Sequence, residues 1–253
     1  TFSDKSGIEL GVGRNMVGAI RFWLKAFDIV DDNEELTELA KRLFENDGWD
    51  PFLEDEATLW LLHYKLSSKQ YSTAYHLIFS ELRKIRPEFT KGHFVSHVHE
   101  IDSKQSNNIV DKDFSVFTRT YFAKPSTDKE ESFSGLFTDL RLLTEIGKDS
   151  QDHMLYHINN TKQASIPWQI VLYCILDNGT YGNSISFLSL FSDPIGVGNL
   201  FAFSQEELEN KLIEISNEEE NIIYKNDAGV KELQFKTNKP SGIEILNKYY
   251  NEK

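Results

Sequence analysis

Apolar positions recur along most of the chain at three- and four-residue spacing, the period of an amphipathic helix. Over 13–27, Met16, Ile20, Trp23, Leu24 and Phe27 fall on one side of a predicted helix. Leu36, Leu39 and Leu43 predict a second, shorter helix over 34–44. Trp49-Asp50-Pro51 interrupts the pattern, because proline stops a helix and restricts the residue before it. Helical spacing resumes over 55–66, with Leu59, Leu62 and Leu66 inward, and again over 71–85, ended by Arg86-Pro87. Over 90–101 the apolar face is Phe94, Val98 and Ile101, and Asp111 or Asp113 is the expected cap of a helix running to Phe122.

Segment 124–134 is polar, contains Pro125 and has no apolar period, so it reads as a linker. It divides an N-terminal helical, winged-helix-like region, 1–123, from a C-terminal helical region, 135–253. The second region is expected to hold helices near 135–147, 167–177, 184–191 and 205–216, the last capped by Ser204, with a turn at Gly196 and Gly198. A hairpin pairing 222–225 with 230–236 across Asn226-Asp227-Ala228-Gly229 completes the order of a winged-helix module. The expected fold class is mainly α with short β-hairpins, with winged-helix-like modules around a helical core.

Composition narrows the function classes. Of 253 residues 40% are hydrophobic and 26% charged, enough apolar chain for a folded core. No apolar run reaches the length of a membrane span, and no signal-like segment opens the chain, so a cytoplasmic, soluble protein is the expectation. The single Cys174 excludes a disulfide framework or a multi-cysteine zinc site. The net charge of −13 is unevenly spread: residues 31–60 carry eleven acids against Lys41 and Arg42, a net of −9. Residues 61–100 carry six bases against three acids, a net of +3, and five of the seven histidines. An acidic average therefore leaves room for local basic surface.

Four groups of residues carry candidate chemistry. Arg14, Gly18, Arg21 and Lys25 form one stripe opposite the apolar face of the first helix, and Asn15 lies in its first turn. A basic helix entered through Gly11 and Gly13 suits contact with DNA phosphates, and asparagine can pair with adenine. The same bases also suit the solvated outer face of a core helix. Asp50, Glu54 and Asp55 are candidate ligands for Mg²⁺ or Mn²⁺, and Glu54, Asp55 and His63 are a candidate catalytic set for phosphodiester cleavage. Those acids equally suit the start of a helix, with Asp55 as its cap. His93, His97 and Glu100 have metal-binding spacing but no fourth ligand, and a solvated histidine face is the competing reading. Asp102-Ser103-Lys104 matches the end of a nuclease motif that requires a strand, where the spacing here is helical. Trp23, Trp49, Trp60 and Trp168 sit in apolar patterns and read as core rather than as a stacking platform. Gly11 and Gly13 lack the third glycine and the βαβ setting of a dinucleotide fingerprint, and no phosphate-binding loop or nucleophile elbow is present.

The run Leu-Gly-Val-Gly-Arg-Asn-Met-Val-Gly-Ala-Ile-Arg-Phe-Trp at 10–23 and Leu-Glu-Asp-Glu-Ala-Thr-Leu-Trp-Leu-Leu-His-Tyr at 53–64 resemble a bacterial domain-of-unknown-function family. Phe117-Thr-Arg-Thr-Tyr121, Ala228-Gly-Val and Ile245-Leu-Asn-Lys-Tyr-Tyr250 extend the resemblance across the chain. The family includes the DNA-nicking component of single-strand DNA phosphorothioation defence systems. The resemblance implies a bacterial phage-defence protein that binds DNA and nicks it with a metal ion. Its implied partners are a cysteine desulfurase, an ATPase and a sulfurtransferase. A non-catalytic winged-helix-like DNA-binding or protein-bridging adaptor is the alternative. The family usually begins with a stretch absent before Thr1, so a truncated chain is expected.

Overall fold

In the structure, a computed structural model, residues 11–122, 135–227 and 229–252 are described. The expected linker at 124–134 lies outside the described residues, as does Ala228 of the hairpin turn. Helix α1 (Arg14–Ala26) leads through a bridge between Val30 and Leu36 to α2 (Glu38–Phe44), capped by Thr37 rather than starting at residue 34. Helix α3 (Glu56–Ser68) is buried all round, with Leu59, Leu62 and Leu66 beside buried Thr58, His63 and Lys65, and a helix of that kind can only be central. Everything from Ala57 to Ser67 is buried. Helix α4 (Thr73–Leu77) runs on through the π-helical turn Ile78–Leu82 to Arg83–Ile85.

Strand β1 (Glu88–Phe89) precedes α5 (Lys91–Ile101) and α6 (Asn107–Tyr121). Thr90 caps α5 in a reciprocal pair with His93, while Ser106 stands at the cap position of α6, so Asp111 and Asp113 lie inside that helix. The helix expected over 135–147 is absent. In its place a 3-10 turn, Thr138–Leu140, leads into a hairpin of β2 (Leu143–Lys148) and β3 (Met154–Ile158). Strand β3 is central in the order β1-β3-β2, with Phe89 opposite Tyr156 and Leu143 opposite Ile158.

The second half holds α7 (Trp168–Asp177), another helix buried along most of its length. Strand β4 (Ser184–Ser186) and α8 (Phe187–Ser192) replace the single helix expected over 184–191. A short helix, α9 (Val197–Leu200), takes up the expected turn at Gly196 and Gly198. A Cβ on Gly198 would lie 2.5 Å from the Phe191 Cα, so only glycine permits that approach of α8 to α9. Helix α10 (Gln205–Glu218), capped reciprocally by Ser204 and Glu207, is followed by β5 (Ile222–Asp227), β6 (Val230–Phe235) and α11 (Gly242–Asn251). The sheet order is β4-β6-β5, with Ile185 opposite Leu233 and Ile222 opposite Phe235.

One apolar core runs from Ala26 to Leu246 and includes residues from both halves of the chain. Tyr64 of α3 donates to the Cys174 carbonyl of α7 at 2.9 Å. Lys65, almost fully buried, pairs with Asp28 at 3.0 Å and Asp177 at 2.7 Å.

Candidate nucleic-acid interface

Helix α1 begins without a side-chain cap: Gly13 stands at the cap position in extended conformation, and no acid occupies the first turn. Among the described residues, nothing from a side chain neutralises the positive end of this helix. Arg14 and Asn15 are exposed there. Farther along, the predicted stripe divides. Arg21 binds the Glu34 carboxylate through Nε at 2.9 Å and also through Nη2. Lys25 Nζ reaches the Asp32 carbonyl at 3.5 Å. The acidic loop after α1 thus folds back onto the lower half of the basic stripe. Arg14 and Asn15 form the open end.

The acidic turn before α3 is a backbone device. Asp50, 6% exposed, accepts Glu54 N–H at 2.8 Å on Oδ1 and Asp55 N–H at 3.1 Å on Oδ2. Asp55 caps α3 by accepting Ala57 N–H at 2.9 Å, and takes the Tyr249 hydroxyl at 3.1 Å on the same oxygen. Glu56 pairs with Lys162 at 2.8 Å, and Glu54 is exposed. Carboxylates already holding backbone donors and a tyrosine are poorly placed to converge on one ion. No three His, Cys, Asp or Glu groups come together as a metal cluster among the described residues. The proposed ligand set Asp50, Glu54 and Asp55 does not fit Mg²⁺ in this arrangement.

His63 also departs from the sequence reading. It is fully buried: Nε2–H donates to the Leu200 carbonyl at 2.7 Å, and Nδ1 accepts from the Tyr121 hydroxyl at 2.6 Å. A carbonyl can only accept, so these partners fix the neutral tautomer. Burial lowers its pKa to about 4, against the smaller opposing effect of the Leu200 bond. With both nitrogens engaged in the core, His63 presents no base to solvent and is removed from the catalytic set. His97 and His93 are likewise structural: His97 Nε2 lies 2.9 Å from Glu81, and His93 Nδ1 accepts Thr90 N–H at 3.3 Å. Asp102 is the residue after the last turn of α5, not part of a strand.

Two concavities flank α6, and sequence reasoning singled out neither. A cleft of about 740 Å³ lies between the start of α5, α6 and β3, with Lys91, Arg119 and His153 among its lining and Phe114, Met154 and Tyr156 on its apolar side. A groove of about 370 Å³ runs between Trp23 of α1, Phe27 just after that helix and Val116 of α6, and Arg119 lines it too. The net positive charge of 61–100 was the available signal for Lys91, but Arg119 and His153 lie 28 and 62 residues beyond it in the chain, so only folding unites them.

A family model described as a protein of unknown function, DUF4007, matches residues 1–250, and the chain belongs to that family. No curated protein matches. Among solved structures, the SspB crystal structure superposes with a TM-score of 0.82 at 25% identity, covering 98% of this chain and 79% of that one. The magnesium ion-bound SspB crystal structure superposes with a TM-score of 0.83 at 26% identity, covering 99% of this chain and 79% of that one.

Proposed function

We propose that this protein is a DNA-binding component of a bacterial DNA phosphorothioation defence system, holding the DNA backbone at the open end of α1. The observation that carries the reading is the helix start that, among the described residues, has no side-chain cap and no acid in its first turn, with Arg14 and Asn15 exposed beside it, in a chain of which 98% superposes on SspB. Helix N-termini and arginine side chains are the ordinary donors to phosphate oxygens. Lys25 extends the contact, while Arg21 contributes after release from Glu34.

Nicking is the finer part of the proposal, and it draws on the family resemblance and on the magnesium-bound SspB structure. Of the carboxylates first considered, exposed Glu54 is the one without a structural hydrogen bond described above, so it is the residue to substitute. The test uses supercoiled plasmid with Mg²⁺ or with EDTA. A mobility shift in both and open circles only with Mg²⁺ are expected, with cutting lost in Glu54→Ala and the shift kept. Intact plasmid that still shifts would reduce the function to binding, and no shift would overturn the DNA reading.

A second reading, the protein-bridging adaptor, is favoured by one observation. The order α7, β4, α8, α9, α10, β5, β6 with sheet order β4-β6-β5 supports a winged-helix reading, which would place α10 as the groove-reading helix. Yet α10 carries Glu206, Glu207, Glu209, Glu214 and Glu218, and its one base, Lys211, is buried against Glu214. Such a helix repels phosphates and complements a basic protein surface. The desulfurase, ATPase and sulfurtransferase of the system are the proposed partners on that side, and DNA lies on the α1 side.

A further inference from the structure

The cleft between α5, α6 and β3 has no part in the backbone contact assigned to α1. Its volume of about 740 Å³ falls in the range of sites that enclose a small molecule. Its walls have two characters. On one side Phe114 and Tyr156 pack edge to face, with ring centroids 5.4 Å apart, and Met154 adjoins them. A flat apolar group can lie against that side.

Two cations and an imidazole define the other side. Arg119 is exposed and, among the described residues, donates only its Nε, to the Ser115 carbonyl of its own helix at 3.0 Å, so its terminal nitrogens meet no described carboxylate. Lys91 is half exposed and loosely paired with Asp111 at 3.4 Å, a contact a phosphate can displace. His153 is exposed and lies 3.3 Å from Asp149. The carboxylate in the lining, Asp152, is paired with Lys148 at 2.7 Å. Ser115 and Thr118 donate their hydroxyl protons back to α6 carbonyls at 2.8 and 3.1 Å, so their oxygens are left as acceptors toward the cleft. An apolar flat wall, acceptors beside it and cations at the rim match a base joined to a phosphate.

The geometry points to a nucleotide-binding site in this cleft, one that takes a nucleoside monophosphate unit with its phosphate toward Lys91, Arg119 and His153 and its base against Tyr156 and Met154. The inference rests on the DNA-binding reading for the source of that unit. Arg119 also lines the groove beside Trp23 and Phe27, so a strand held at α1 would pass Arg119 to enter the cleft.

Calorimetric titration of the whole chain with thymidine 5′-monophosphate, thymidine, inorganic phosphate and pentathymidylate tests the site. The monophosphate should bind at least about tenfold more tightly than thymidine or phosphate alone. Lys91→Ala with Arg119→Ala should weaken it by about tenfold or more, and Met154→Trp, which fills the cleft without touching a cation, should do the same. Both variants should keep the wild-type thermal unfolding midpoint, while Arg14→Ala leaves monophosphate binding unchanged. Pentathymidylate binding more tightly than the monophosphate would support a strand as the source, and equal binding would support a free nucleotide. Absence of monophosphate binding at millimolar concentration, or binding indifferent to both variants, overturns the site. Plasmid mobility shift separates the two claims: a shift without monophosphate binding removes only the cleft, and monophosphate binding without any DNA shift removes only the DNA reading.

Discussion

A histidine enclosed by Trp60, Phe79, Phe137 and Phe201 can be charged only by losing its hydration, and among the described residues His63 has no carboxylate partner to offset that loss. Its folded pKa of about 4 lies below the ordinary 6.5. Between those values the unfolded chain binds a proton that the folded chain refuses, so stability is full above pH 6.5 and declines as pH falls toward 4. The loss is roughly 3 kcal/mol if no other group compensates. Urea midpoints at pH 7 and pH 4.5 should therefore separate more in the wild type than in His63→Gln, which has no proton to gain. The sequence presents His63 beside a cluster of acids two turns away. Only burial distinguishes a core histidine from a base, and burial is not written in local spacing.

At the scale of elements, the acidic turn before α3 works as a start signal. Asp55→Ala should cost about 1 kcal/mol through the lost cap, and Asp55→Ser should recover most of it. Asp50→Ala leaves the N–H groups of Glu54 and Asp55 without their acceptor and should cost about 2 kcal/mol. Chemical denaturation ranks all three, and Glu54→Ala should match the wild type. Helices α1, α3, α5, α7 and α10 were legible because their apolar residues repeat at helical spacing or run without a break. The β2–β3 hairpin was not. Leu142, Leu143 and Ile146 fit a helix as well as a strand, and the deciding feature is Asp149, whose carboxylate holds the N–H groups of Gln151 and His153 in a turn. That turn sends β3 back between β1 and β2 and builds one wall of the cleft.

Over the whole molecule, a net charge of −13 and DNA binding are compatible only if opposite charges occupy different faces. The acid-rich helix α10 and the acid-free start of α1 put the two charges on different elements. DNA affinity should fall linearly with the logarithm of salt, and Arg14→Ala should lower the slope by about 0.9 for the phosphate contact it removes. Arg21→Ala should change it less, since Glu34 already engages that guanidinium, and Glu34→Ala should steepen it by freeing Arg21. Gel-shift titrations across a salt series measure all of these.

From its own pattern the chain determined the helical character, the limits of several helices, the caps at Asp55 and Ser204, and the β5–β6 hairpin. Each of these depends on neighbours within a few residues, where spacing and side-chain chemistry act directly. Tertiary structure alone decided which polar groups stayed available. It folded Glu34 onto Arg21, turned Asp50 toward backbone N–H groups and enclosed His63. It also brought Lys91, Arg119 and His153 to one cleft from three distant segments, because the availability of a charge depends on what the whole chain packs against it.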